Sequence, residues 1–144
     1  NHQSHYEQWG ELRGTLHVEG HDDQTLYLQC VRDHSFGRRD WRSFHRYIIH
    51  FIYLESGTCV QVGVVCQPNL MSHVKIGYVS YANGDIVSVS DVNLNLWELA
   101  EEVKDPPPFW TFSFEADGQT YVVRATRGTV PVWYHHDDRG GKVT

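Results

Sequence analysis

Positive charge is in short supply: 12 lysines and arginines stand against 18 aspartates and glutamates, a formal net charge of −6. Nucleic-acid binding needs a basic surface that neutralises phosphates, so this balance argues against that class of partner. Cysteine is scarce as well. Cys30, Cys59 and Cys66 form an odd set with no CxxC pair and no zinc spacing. Free thiols are the expectation, with a cross-strand meeting of Cys30 and Cys59 left open. No run of 18 apolar residues exists, so no membrane-spanning helix is expected. The chain shows no secretory leader pattern and no N-x-[ST] sequon, which leaves the compartment unassigned. A phosphate-cradling glycine loop, a phosphohistidine segment and a Gly-x-Ser-x-Gly elbow are all missing, and with them the support for phosphotransfer and serine-hydrolase chemistry. Helical periodicity is nearly absent; "LWELAEEV" at 96–103, about two turns, is the one candidate.

What remains is rich in strand signals. The chain has 144 residues, 40% hydrophobic and 13% aromatic, which suits one globular domain over residues 1–144. Apolar residues recur with a period near two, as half-buried strands require. The pattern predicts strands over 11–19, 25–31, 44–54, 59–66, 74–81, 86–97, 109–116, 119–126 and 130–134, with a bend near Asp91. "FHRYIIHFIYL" is apolar on both faces, with Ile48, Ile52 and Leu54 on one and Tyr47, Ile49, Phe51 and Tyr53 on the other. Such a strand is central or lies between a core and a covering element. Asn83-Gly84 and Asp117-Gly118 are hairpin signals, because both residue types tolerate positive φ. Eight or nine strands joined by short antiparallel turns favour an all-β, up-and-down barrel, whose interior is filled by side chains or holds one small ligand.

One stretch breaks the pattern. "RDHSFGRRDW", residues 32–41, reads as a long charged connection. Arg32 and Asp33 precede His34; Arg39 and Asp40 precede Trp41. Guanidinium and carboxylate pair in a bidentate fork, and paired charges tolerate burial where lone ones do not. The segment is therefore expected to plug the barrel, with Gly37 turning the chain at positive φ and Trp41 capping the interior. His34 beside Asp33 or Ser35 is either an acid–base pair or a hydrogen-bonded structural histidine.

This decamer resembles the R-D-H-S-[FW]-G-x-R-D-W motif of lipocalin-like (calycin-type) domains related to carotenoid 1,2-hydratase and the wider AttH-type group. The resemblance is nearest to the β domain of animal phosphoenolpyruvate-synthase-like proteins. Arg32, Asp33, His34, Ser35, Gly37, Arg39, Asp40 and Trp41 match, with Phe36 as a permitted aromatic. "HYEQWGELRGTL", "FHRYIIHFIYLESGTCVQVGVV" and "MSHVKIGYV" extend the likeness over most of residues 5–135. It implies an antiparallel lipocalin-like barrel and an isoprenoid class of ligand. The hydratase's acid residues do not map onto this chain residue by residue, so no catalytic assignment is carried over; the hydratase and its kin carry two such domains in tandem, whereas this length accommodates one, which favours binding without reaction.

Three functional expectations follow. The first is non-enzymatic binding of an apolar ligand, a carotenoid or related polyene, as in a pigment-carrying carotenoprotein. Tyr47, His50, Phe51, Tyr78, Trp110 and Phe112 are the expected lining, and a homo- or heterodimer is expected to cover a ligand longer than the barrel. The aromatics equally well fill the barrel by themselves. The second is isoprenoid hydration or cyclisation by acid catalysis, with His34, Asp33 and Asp40 as candidates. The third is an accessory domain of a phosphoenolpyruvate-synthase-like protein. "HHDD" at 135–138 offers metal donors, but adjacent histidines on a strand rarely share an ion, so no metal is expected.

Overall fold

The computed structural model describes residues 3–37, 46–67, 71–97, 99, 104–105, 107–129, 135–136 and 142–143. The described residues are all-β, and every strand pair is antiparallel. Strands β1 (Gln3–Leu16) and β2 (Gln24–Gly37) make a long two-stranded ribbon. Strands β3 (Arg46–Tyr53), β4 (Cys59–Gln67), β5 (Met71–Ser80), β6 (Ile86–Asn93), β7 (Phe109–Ala116) and β8 (Gln119–Thr126) follow one another in a six-stranded meander. Two short strands, β9 (His135–His136) and β10 (Lys142–Val143), pair with each other.

Turn chemistry sets these connections. Asp117 (φ 51°) and Gly118 (φ 68°) both take positive φ between the paired Ala116 and Gln119. That is the two-residue hairpin whose twist matches its strands. Asn83-Gly84 works differently from the sequence expectation. Only Gly84 is at positive φ (95°), the Gly84 N–H donates to the Tyr81 carbonyl, and Tyr81 closes onto Asp85. The loop is thus three residues long, and the Asn83 side chain serves instead as an acceptor for the Asp85 N–H. "ESGT" repeats the device, with Gly57 at φ 82° and its N–H on Leu54.

The meander is steeply curled. His50 on β3 and Phe112 on β7 have ring centroids 4.5 Å apart, although three strands lie between theirs. On a flat sheet four strand spacings would separate them by about 19 Å. The row joining them is short in the middle: His50 pairs with Val62, and Val62 with Gly77, which presents no side chain. Gly63, on the opposite face of β4, permits the tight coil. A Cβ there would run into the backbone oxygen of Ile48. The register shift between Val89 and Asp91 adds a local kink where a bend was expected.

The concave face is the core. Val60, Val62, Val64, Val79, Val92, Leu96, Phe112, Phe114 and Ala116 are buried there, with Ile48, Ile52, Tyr121 and Val123 packed around them. Strand β3 pairs only with β4 among the described residues, so it is an edge and not a central strand. On its largely exposed outer side, Trp9 of β1 meets the Phe51 ring edge-on at 6.0 Å.

One expectation is corrected. Residues 32–37 are not a charged loop; they are the last six residues of β2, paired with Gln3–Gln8 of β1. Strand alternation then sends Arg32, His34 and Phe36 to one face and Asp33 and Ser35 to the other. Arg32 and Asp33 consequently do not form a fork. Arg32 donates to Gln8 Oε1 at 3.1 Å and lies over the Tyr6 ring. Gly37 does take positive φ, 106°. Arg39, Asp40, Trp41 and the strand expected at 130–134 lie outside the described residues. So does most of the helix candidate, whose Leu96 and Trp97 are in a bend.

Candidate functional site

Strand alternation divides the six expected ligand-lining residues into two groups. Tyr47, Phe51 and Tyr78 belong to the outer face; the register aligns Phe51, Gln61 and Tyr78 across β3, β4 and β5. Tyr47 and Phe51 are exposed there, and Tyr78 is half-buried under the ribbon. His50, Trp110 and Phe112 belong to the inner face and do converge. The Trp110 Nε1–H donates to His50 Nε2 at 3.3 Å, and the imidazole lies 4.5 Å from the Phe112 ring.

That donation fixes the chemistry of His50. Nε2 accepts, so the neutral ring carries its proton on Nδ1. Nδ1 is buried and has no hydrogen-bond partner among the described residues. Burial also lowers the pKa of His50 from its ordinary 6.5, which keeps the ring neutral. A buried N–H donor without an acceptor costs about 1–3 kcal/mol, so the position calls for an oxygen.

A second constellation lies where the ribbon meets the outer face. Glu7 and Asp33 sit directly opposite each other on β1 and β2, as do His5 and Ser35. His5 Nδ1 is 2.7 Å from Ser35 Oγ and 3.6 Å from Asp33 Oδ1, while His5 Nε2 is 3.1 Å from Glu7 Oε1. The other Glu7 oxygen accepts from the Tyr78 hydroxyl at 2.9 Å, and that hydroxyl accepts from Trp9 Nε1 at 2.9 Å. Desolvation and the bond to Glu7 push the Tyr78 pKa up to about 12, so its proton stays in place as a donor. Sequence reasoning missed His5, Glu7 and Trp9. Their signal was H-x-E-x-W paired with D-x-S at period two, legible only once the ribbon is extended to Gln3 and Gly37.

Of the candidates for acid catalysis, Asp33 and His34 lie on opposite faces of β2. Asp33 joins His5 and Glu7, whereas His34 points the other way, between the rings of Tyr6 and Phe36. Asp40 is outside the described residues. Cys30, Cys59 and Cys66 are free thiols, and Cys59 is buried. A depression of about 240 Å³ at the ribbon tip, lined by Leu16, Val18, His21, Asp22 and Gln24, holds none of the expected ligand residues. It is smaller than the roughly 300–1,000 Å³ of ordinary ligand sites. Among the described residues no helix is long and apolar enough to cross a membrane.

No curated protein matches the chain, and no solved structure matches it. Residues 1–134 match the model of a family described as "Family of unknown function (DUF8627)". That match covers nearly the whole length, and the chain belongs to the DUF8627 family.

Proposed function

We propose that this domain binds a slender, mostly apolar ligand without transforming it, and that the ligand is of the carotenoid or related isoprenoid class with an oxygen at one end. The observation that carries this reading is the orphaned Nδ1–H of His50, held between Trp110 and Phe112 on the concave face. A keto or hydroxyl oxygen would satisfy that donor, and the two aromatic rings would flank the first atoms of a flat chain. The middle of the concavity is filled, since Val62 is fully buried and Phe114 is 2% exposed. His50 borders that filled region, so on this reading its neighbours give way for the ligand oxygen to reach Nδ1, and the rest of the ligand projects outward, where a second copy would cover it. On this reading the six-stranded meander is the wall of a lipocalin-like barrel. The outer-face residues Tyr47, Phe51 and Tyr78 drop out of the ligand site.

The test is an absorbance titration of the full chain with a keto-carotenoid and with the hydrocarbon carotenoid of the same length. The expected result is a saturable spectral shift at one ligand per chain or per dimer, with the ketone bound more tightly. His50→Phe should weaken the ketone about tenfold, the worth of one buried hydrogen bond, and leave the hydrocarbon nearly unchanged. Absence of any shift with either compound would end the reading and favour the accessory-domain alternative.

A further inference from the structure

We infer that His5, Glu7 and Asp33 form a binding site for a divalent transition-metal ion of the Zn²⁺ type, at the seam between the ribbon and the sheet. The inference is independent of the ligand reading and departs from the absence of metal expected from the sequence. One donor atom from each of the three residues lies within 4.8 Å of the other two. The His5 Nε2 to Glu7 Oε1 separation of 3.1 Å is close to that of adjacent ligands around a tetrahedral zinc with bonds of about 2.0 Å.

Three further features favour a cation. Glu7 and Asp33 are directly opposed across the ribbon, a like-charge pair that destabilises a sheet unless positive charge lies between them. The Glu7 side chain is 6% exposed, too buried for a carboxylate to rely on water. Its second oxygen is tied down by Tyr78, which is itself tied to Trp9, so Oε1 is held facing His5 by groups outside the cluster. That is the outer-shell support ligating carboxylates ordinarily have. His5 matches the same pattern. With Nε2 toward the metal, Nδ1–H would donate to Ser35 Oγ, 2.7 Å away. Asp33 Oδ1 lies 3.6 Å from His5 Nδ1, so the half-exposed Asp33 side chain must turn toward Nε2 to join the set, and the fourth coordination position is left for water. A mixed nitrogen–oxygen set with one open position suits Zn²⁺ better than Mg²⁺, which favours oxygen donors, or Cu(I), which favours sulfur.

The alternative is a metal-free network in which Nε2–H donates to Glu7 and Ser35 donates to Nδ1. Zn²⁺ titration of the full chain by calorimetry, at pH 7.5 without chelator, separates the two. The expected result is one Zn²⁺ per chain with a Kd at or below about 10 µM. Asp33→Asn and His5→Gln should each weaken binding about tenfold or more while the far-UV spectrum is unchanged. A His135→Ala, His136→Ala double variant should bind as the unmodified chain does. No binding up to 100-fold excess, equal binding by Asp33→Asn and His5→Gln, or loss only in the His135/His136 variant would each overturn the site.

Discussion

At the scale of single residues, His50 couples the core to pH. Burial depresses its pKa in the folded state below the ordinary 6.5. The unfolded chain then takes up a proton from pH 6.5 downward while the folded ring stays neutral. The contribution of His50 is therefore intact above pH 6.5 and is lost as pH falls toward the lower, folded value. Urea midpoints should decline between pH 7 and 5, and His50→Phe should flatten that slope. An equal slope in the variant would mean that other groups carry it. His50 shares a strand face with Ile48 and Ile52, as strand alternation alone dictates, so the expected lining that joined it to Tyr47 and Phe51 mixed the two faces. Nothing in the sequence pointed to Trp110 as the partner, since β7 reaches His50 only through the curl of four successive strand pairings.

At the scale of elements, Trp9 and Glu7 of the ribbon meet Phe51 and Tyr78 of the sheet. Tyr78→Phe keeps the ring and removes the hydroxyl that serves Glu7 and Trp9. Stranding those two groups should cost about 1–3 kcal/mol. Hydrogen exchange at 5–9 should accelerate while 60–64 keeps its protection; uniform acceleration would make ribbon and sheet one cooperative unit. The same hydroxyl is visible by alkaline titration. Tyr78 and Tyr81 both titrate near 12, Tyr81 through its bond to Tyr121, so a late absorbance step should shrink in Tyr78→Phe. With a folded pKa above the ordinary 10, Tyr78 contributes stability that is intact below pH 10 and fades as pH rises through 12.

The elements themselves differed in legibility for physical reasons. Strands β7 and β8 read at their true bounds because Asp117-Gly118 forces a two-residue turn between regular alternations. The ribbon was read too short at both far ends. Its residues are mostly polar and exposed on both faces, so alternation of hydropathy, the signal that betrays a strand, is weak there. The charged run 32–37 looked like a loop for that reason, although its cross-strand pairs with β1 are regular.

At the scale of the molecule, the two proposed sites belong to different parts of the fold. His50, Trp110 and Phe112 lie inside the curled sheet, and His5, Glu7 and Asp33 lie on the ribbon outside it. A ligand stabilises whatever must stay folded to bind it, by about 2.7 kcal/mol at a concentration 100 times its Kd. A keto-carotenoid should therefore slow exchange of sheet amides at 48–52 and 110–114. Zn²⁺ should slow exchange at 5–9 and 31–35, where ribbon opening by itself releases the metal. The two effects should be nearly additive, because Tyr78 and Phe51, which meet Glu7 and Trp9 of the ribbon, belong to the outer face of the sheet and His50 to the inner one. A coupling of more than about tenfold between the two affinities would require a shared two-state motion of ribbon and sheet. Measuring each affinity with and without the other ligand decides the matter. Independence places two separately loaded sites on one chain; strong coupling would show that the ribbon closes over the sheet as a single binding unit.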